Sequence, residues 1–139
     1  MIDSCNSVTQ HKIVSVSENK RKFTVNNKSL FTINKVTVDD CYMKEGIKKC
    51  DFLFEVIDEE LKEVFYVELK GSDISHGIQQ LEATVKHCLS IHKNVPRSCY
   101  IVASRVPKAS TSTQKSKKEF KRKHSVMLYI DTKQKEVTV

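Results

Sequence analysis

Residues 50–70 read CDFLFEVIDEELKEVFYVELK, and the reading of this stretch decides the fold. From Cys50 to Ile57 the residues alternate, with Phe52, Phe54 and Val56 on one face and Asp51, Leu53 and Glu55 on the other. From Val64 to Lys70 they alternate again, with Phe65, Val67 and Leu69 opposite Tyr66, Glu68 and Lys70. The intervening Asp58-Glu59-Glu60-Leu61-Lys62 is long enough only for a hairpin loop. A loop centred between Glu59 and Glu60 sets the register, with Val56 opposite Glu63 and Asp51 opposite Glu68. Directly opposed Cβ atoms lie about 5 Å apart. Two carboxylates at that distance repel by ~3 kcal/mol at an effective dielectric near 20. A cation between them removes that cost. Lys70, on the same face, is one candidate; a hard divalent ion held by carboxylate oxygens is the other.

Beyond Gly71 the hydrophobic period changes. Ile78, Leu81, Val85, Cys88 and Leu89 follow the spacing of an amphipathic helix, capped by Asp73 or Ser75 and ended by Asn94 before Pro96. Ser98 to Ser104 is an almost continuous apolar run and reads as a buried strand. The second half of the basic segment from Pro107 to His124 suits a helix, and Val126 to Ile130 makes a last strand. On the other side of the hairpin, Phe23-Thr24-Val25 and Leu30 to Val38 read as strands, with Asn26-Asn27-Lys28 and Lys44-Glu45-Gly46 as turns. Residues 3–20 are polar and read as a weak strand or a loosely held arm. The expected fold is a single α/β domain over 1–139, a mixed central β-sheet flanked by helices.

Composition supports one soluble domain: 139 residues with 39% hydrophobic and 29% charged side chains can cover one core. No run approaches the ~18 apolar residues of a membrane span, and the first residues lack the pattern of a signal peptide. The expected compartment is cytoplasmic. The five cysteines are odd in number and contain no CxxC pair, so neither a disulfide framework nor a zinc ribbon is expected. Cys88 and His92 are four apart, but no second pair at ligand spacing joins them; Cys88 reads as a core residue. Charge is unevenly spread. Residues 1–70 carry 11 Lys and Arg against 12 Asp and Glu, whereas residues 71–139 carry 13 against 5. Most of the excess is Arg105, Lys108, Lys115, Lys117, Lys118, Lys121, Arg122 and Lys123, opposed by Glu119. Such a patch attracts polyanions; a solvated basic loop is the plainer reading.

Asp51, sixteen residues, then Glu68-Leu69-Lys70 on a strand, followed by a helix bearing glutamine, resembles the PD-(D/E)xK nuclease superfamily. Lys49-Cys50-Asp51, VELKGSD (Val67 to Asp73) and IQQLEAT (Ile78 to Thr84) are similar to small bacterial proteins of that superfamily. The resemblance covers roughly residues 30–104 and implies a restriction-endonuclease-like fold. It also implies Mg²⁺-dependent phosphodiester hydrolysis, usually of DNA, with Mn²⁺ able to substitute. Asp51 and Glu68 would hold the ion, with the Leu69 carbonyl as a further ligand. Lys70 would position or deprotonate the attacking water, and Glu55 could reach the metal through water. Gln80 best matches a glutamine that many members place near the site. The superfamily's opening helix with a further acidic residue has no counterpart here. His76 reads as a surface histidine, Ser72 as a turn or capping residue, Asp39 and Asp40 as closing the strand before them, and Tyr42, Tyr100 and Tyr129 as core or sheet residues.

The leading expectation is therefore a DNA endonuclease or resolvase-like enzyme gripping backbone phosphates with the 105–123 patch. The small size favours a homodimer. A nuclease-derived binding or interaction module that no longer cuts is the alternative. An RNA-binding protein ranks third, because no recognised RNA module is present.

Overall fold

A computed structural model describes residues 5–39, 41, 49–70, 73–105 and 111–139; the side chains of 70, 111 and 112 lie outside that description. Tyr42, Asp40, Ser72, Lys108 and the turn read at 44–46 fall outside it as well. In chain order the elements are β1 (Asn6–Thr9), β2 (Ile13–Glu18), β3 (Arg21–Asn26), β4 (Thr32–Thr37), β5 (Phe52–Asp58), β6 (Glu60–Lys70), α1 (Ile74–His87), α2 (Leu89–His92), β7 (Arg97–Ala103), α3 (Thr111–His124), β8 (Met127–Thr132) and β9 (Gln134–Thr138).

The hairpin carries the expected register. Phe52 pairs with Val67, Leu53 with Tyr66, Phe54 with Phe65, and Val56 with Glu63. The loop is tighter than expected: a bulge at Val56/Ile57 shifts the ladder by one, Asp58 faces Glu60, and Glu59 alone turns the chain at φ 64°. Around this hairpin grows a six-stranded mixed sheet in the order β1-β4-β5-β6-β7-β8. The first four strands are antiparallel, and β6, β7 and β8 run parallel. Parallel neighbours need crossovers, which α1–α2 and α3 provide.

The two faces of this sheet are covered differently. On one, Leu53, Val64, Tyr66 and Ile101 pack against Leu81, Val85 and Cys88 of α1 and its end and Phe120 of α3. On the other, Phe54, Val56, Phe65, Val67 and Leu69 pack against Val14, Val16, Phe23 and Val25. These belong to a second sheet, β2-β3-β9. Among the described residues the helices flank one face of the large sheet, and the small sheet covers the other. Phe23, fully buried, is the hub, its ring 4.9 Å from Tyr100 and 5.5 Å from Phe54.

Three readings narrow or change. Of the two readings of residues 3–20, weak strand or loose arm, the structure has strands at 6–9 and 13–18, paired with β4 and β3. The two-residue Asn19–Lys20 turn, positive in φ at both positions, is what a tight β2–β3 hairpin demands. A final strand, β9, was not expected; it follows β8 after Lys133 (φ 68°) and pairs parallel with β3. Lys133 is the pivot: its N–H donates to the Ala103 carbonyl of the large sheet, and its carbonyl accepts the N–H of Lys22 in the small one. Leu89, assigned to the apolar stripe, is 46% exposed, because α1 ends at His87 and the chain re-enters a single helical turn at a new angle.

Cys5 and Cys41 form a disulfide, against the expectation of none. Their separation of 36 residues hides the pairing from local spacing; β1 lying against β4 brings them together. Cys50, Cys88 and Cys99 are buried thiols. Without reductant, the denatured chain should titrate three thiols with a chromogenic disulfide reagent, and five after reduction. Five in both states would mean that the bridge does not form. A bridge of this kind persists in oxidising compartments, which sets it against the cytoplasmic expectation. Among the described residues no helix is long and apolar enough to cross a membrane.

Candidate active site

Asp51 stands just before β5, where pairing with β6 runs out. Its main-chain carbonyl accepts the N–H groups of Val38 and Asp39, at 3.0 and 3.3 Å, and so is held by the end of β4. Its side chain then takes the place of a strand: Oδ2 accepts the N–H of Leu69 at 2.9 Å. In an antiparallel ladder a residue directs its N–H and C=O to the same side. The Leu69 carbonyl is therefore turned to the same end of β5 as the Asp51 carboxylate. Glu68, the residue before Leu69 on β6, faces α1 and is 1% exposed.

A buried carboxylate needs room, and Gly77 supplies it. A Cβ at Gly77 would stand 3.6 Å from Glu68 Cγ and 3.3 Å from Ile101 Cδ1, so α1 lies close on β6 at this point. Gly77→Ala should be nearly neutral, within about 1 kcal/mol in a thermal melt, since the helix gains about what Ile101 must yield. A loss of several kcal/mol would mean that Ile101 cannot move. Two turns further, Thr84 fastens the helix to the start of β5: its Oγ1 accepts the Cys50 N–H at 2.8 Å and donates to the Gln80 carbonyl at 3.0 Å. Asp73 caps α1, accepting the His76 N–H at 3.0 Å.

Gln80 lies one turn from both Gly77 and Thr84, hence on the face toward the sheet, whereas Gln79 is exposed. Its Oε1 is enclosed and accepts no hydrogen bond among the described residues. The fold thus separates two glutamines that helical spacing alone left open. Cys50 is not a nucleophile: burial pushes its thiol well up, a hydrogen bond with Thr84 lowers it, and the Glu68 and Asp51 carboxylates raise it again. Lys49 behind it reaches Asp39 at 3.6 Å. Lys70 closes β6 with its backbone in register with Ala103; its side chain is outside the described residues.

Glu55 is engaged elsewhere. Its Oε1 accepts from Asn34 Nδ2 at 2.9 Å, and its Oε2 faces His92 Nε2 at 2.7 Å. His92 Nδ1 in turn lies 2.5 Å from the Tyr66 hydroxyl. A neutral imidazole satisfies both neighbours, donating from Nε2 to the carboxylate and accepting the phenol proton at Nδ1. Burial pushes the Tyr66 phenol far up, which suits it as donor. Burial also works to raise the Glu55 carboxyl, but the hydrogen bonds from His92 and Asn34 outweigh it and hold the group below its usual range. From the sequence, His92 enters only beside Cys88 as a metal-ligand pair and Tyr66 only as a strand-face residue; the spacing of His92 and Tyr66 carries no signal, since they meet only through the fold.

The basic residues of 111–124 lie on a helix and not on a loop. Phe120 anchors α3 in the core, and Lys115, Lys118, Lys121, Arg122 and Lys123 are exposed, as is Arg105 before it. Lys117, Lys118 and Lys121 line a groove with Met127 and Tyr129 of β8, while Lys115 and Lys123 face α1 across Glu82. Arg122 is paired with Glu119 at 3.2 Å.

Among the described residues no group of three or more His, Cys, Asp and Glu side chains stands together as a metal cage. The Asp51 carboxylate meets the Leu69 main chain at the end of β5, and Glu68 is the residue before Leu69 on β6. No family model, curated protein or solved structure matches this chain.

Proposed function

We propose that the chain is a metal-dependent nuclease that hydrolyses phosphodiester bonds of DNA, with Asp51, Glu68 and Lys70 at its centre. The observation that carries this reading is the Asp51–Leu69 hydrogen bond, which holds one carboxylate beside the strand segment bearing the other. The donors are hard oxygens only, a set that suits Mg²⁺, with Mn²⁺ as substitute. Asp51, Glu68 and the Leu69 carbonyl would hold the ion, and Gln80, with an enclosed amide oxygen on the same side of α1, fits a positioning role. When bound, the ion supplies a Lewis acid for the scissile phosphate and acidifies a bound water.

The chain's own residues do the rest. Leu69 N–H fixes the Asp51 carboxylate, so that no conformational freedom is lost on binding. The roof of α1 over Glu68 excludes bulk water from its side of the site, strengthening every charge interaction there. Lys70 would orient the attacking water and neutralise charge growing on the phosphorane. Glu55 has no part in this site, since both of its oxygens serve Asn34 and His92. The lysines of α3 give a basic face for backbone phosphates.

The test is cleavage of a labelled panel: duplex, single-stranded, flapped and four-way DNA, and RNA, each with Mg²⁺, Mn²⁺ or EDTA. Wild type should cut at least one DNA with metal and not with EDTA, and Lys70→Ala should bind it without cutting. No cutting of any substrate by wild type, with equal binding by both proteins, would replace this reading with that of a binding module.

A further inference from the structure

The small sheet carries a charged group that the cleavage reading does not use. Arg21, the first residue of β3, is only 8% exposed, yet among the described residues no carboxylate lies within 4 Å of its guanidinium. Its Nη1 donates to Ser104 Oγ at 2.7 Å, and its Nε–H is enclosed and has no acceptor. Buried guanidinium groups are ordinarily paired, because an uncompensated charge away from water is costly. Arg21 thus keeps an unused donor and an uncompensated charge that an anion could take up.

The surroundings specify its chemistry. Arg21 opens onto a cavity lined also by Lys20, Lys22 and Lys133, with Glu18 the only carboxylate in its wall among the described residues. Glu18 is the cross-strand partner of Arg21, but it is exposed and makes no ion pair with it. The tight Asn19–Lys20 turn and the Lys133 pivot hold Lys20 and Lys133 at fixed points around the mouth. A fork-shaped, rigid guanidinium with a spare N–H, ringed by point charges, matches the tetrahedral anion of a phosphate group.

The position also matters. Ser104 is one residue past Ala103, which is in register with Lys70, so Arg21 reaches within about 10 Å of the end of β6. Parallel strands end here, the side of an α/β sheet where ligands commonly bind.

We propose that Arg21, Lys20 and Lys133 form a second phosphate-binding site, which seats a backbone phosphate of a nucleic-acid strand away from the carboxylates. The site does not require the chain to cut, so it is tested in EDTA. Wild type is titrated with inorganic phosphate and with AMP while the Arg21 Nε–H signal is followed by NMR. Binding of single-stranded and duplex oligonucleotides is measured by fluorescence anisotropy for wild type, Arg21→Lys and the exposed pair Lys20→Gln/Lys133→Gln. The Arg21 signal should move saturably with phosphate. The lysine pair variant, whose substitutions are at the surface, should lose about tenfold in oligonucleotide affinity and roughly two units of salt slope. A signal that moves with phosphate or AMP, beside oligonucleotide affinities unchanged in both variants, supports the phosphate site with a free phosphate compound as its ligand. An unmoved signal, with wild-type binding by both variants, overturns the proposal and leaves Arg21 as a brace for Ser104.

Discussion

Glu68→Gln is expected to lower metal-dependent cleavage by at least ~10³-fold while leaving the fold in place. Glutamine keeps the shape beneath Gly77, so α1 retains its seat on β6. What is lost is a full negative charge in a site that is 1% exposed, where water cannot replace it. Asp51→Asn should lose activity comparably, yet its amide oxygen can still accept the Leu69 N–H. Asp51→Ala removes that acceptor too and should add a stability loss of roughly 1–3 kcal/mol. Cleavage rates beside thermal melts for the three variants separate the two roles. Wild-type cutting by Glu68→Gln would rule out this carboxylate as part of the machinery, wherever the activity then resided.

His92→Ala should destabilise the protein by about 3–5 kcal/mol, lowering the melting temperature by roughly 10–15 °C. The imidazole is fully buried and satisfies two groups at once. Its loss leaves the Tyr66 hydroxyl and one oxygen of Glu55 without their donor or acceptor, and opens a void between α2 and the sheet. A melt within 1 kcal/mol of wild type would show that water enters and replaces the ring. The chain also carries a pH signature. The Glu55 carboxyl is held below its unfolded value, so its contribution is present above about pH 4.5 and fades as pH falls through the lower native value. Glu55→Gln should remove that acid-side loss, flattening the stability profile below about pH 4.5 relative to wild type.

Much of the backbone geometry around Asp51 and Glu68 was legible because it is local. Alternation from Cys50 to Lys70 set a register that holds from Phe52 to Val56, and the helical period from Ile78 placed α1 above it. The geometry that lets Asp51 meet Leu69 follows from that register alone. What was not legible depends on partners far away in sequence. β2 is short and set in a polar stretch, β9 has Val137 alone, and both lie at the margins of a small sheet, so their alternation is faint until β3 is placed between them. The Glu55–His92–Tyr66 chain joins a strand, a single helical turn and another strand, none of which signals the others. Cys5 and Cys41 are likewise joined by strand pairing and not by spacing. Both faces of β6 are buried, and that too exceeds what alternation suggested: the face bearing Glu68 also bears Tyr66, fully enclosed.

The pairing of β3 with β9 has a consequence for how the molecule is made. Lys22 to Asn26 must find Gln134 to Thr138, a partnership spanning more than a hundred residues. Such a contact closes a very long loop, which slows folding in proportion to the chain entropy it removes. On the ribosome, the β2–β3 hairpin, with Phe23 and Val25 on its apolar side, emerges well ahead of its partner β9 and waits while the residues between them are translated. During that interval the hairpin is an open-edged ribbon of the kind that invites aggregation or chaperone capture. The last strand is thus a latch, and the nascent chain is at its most vulnerable until the latch engages.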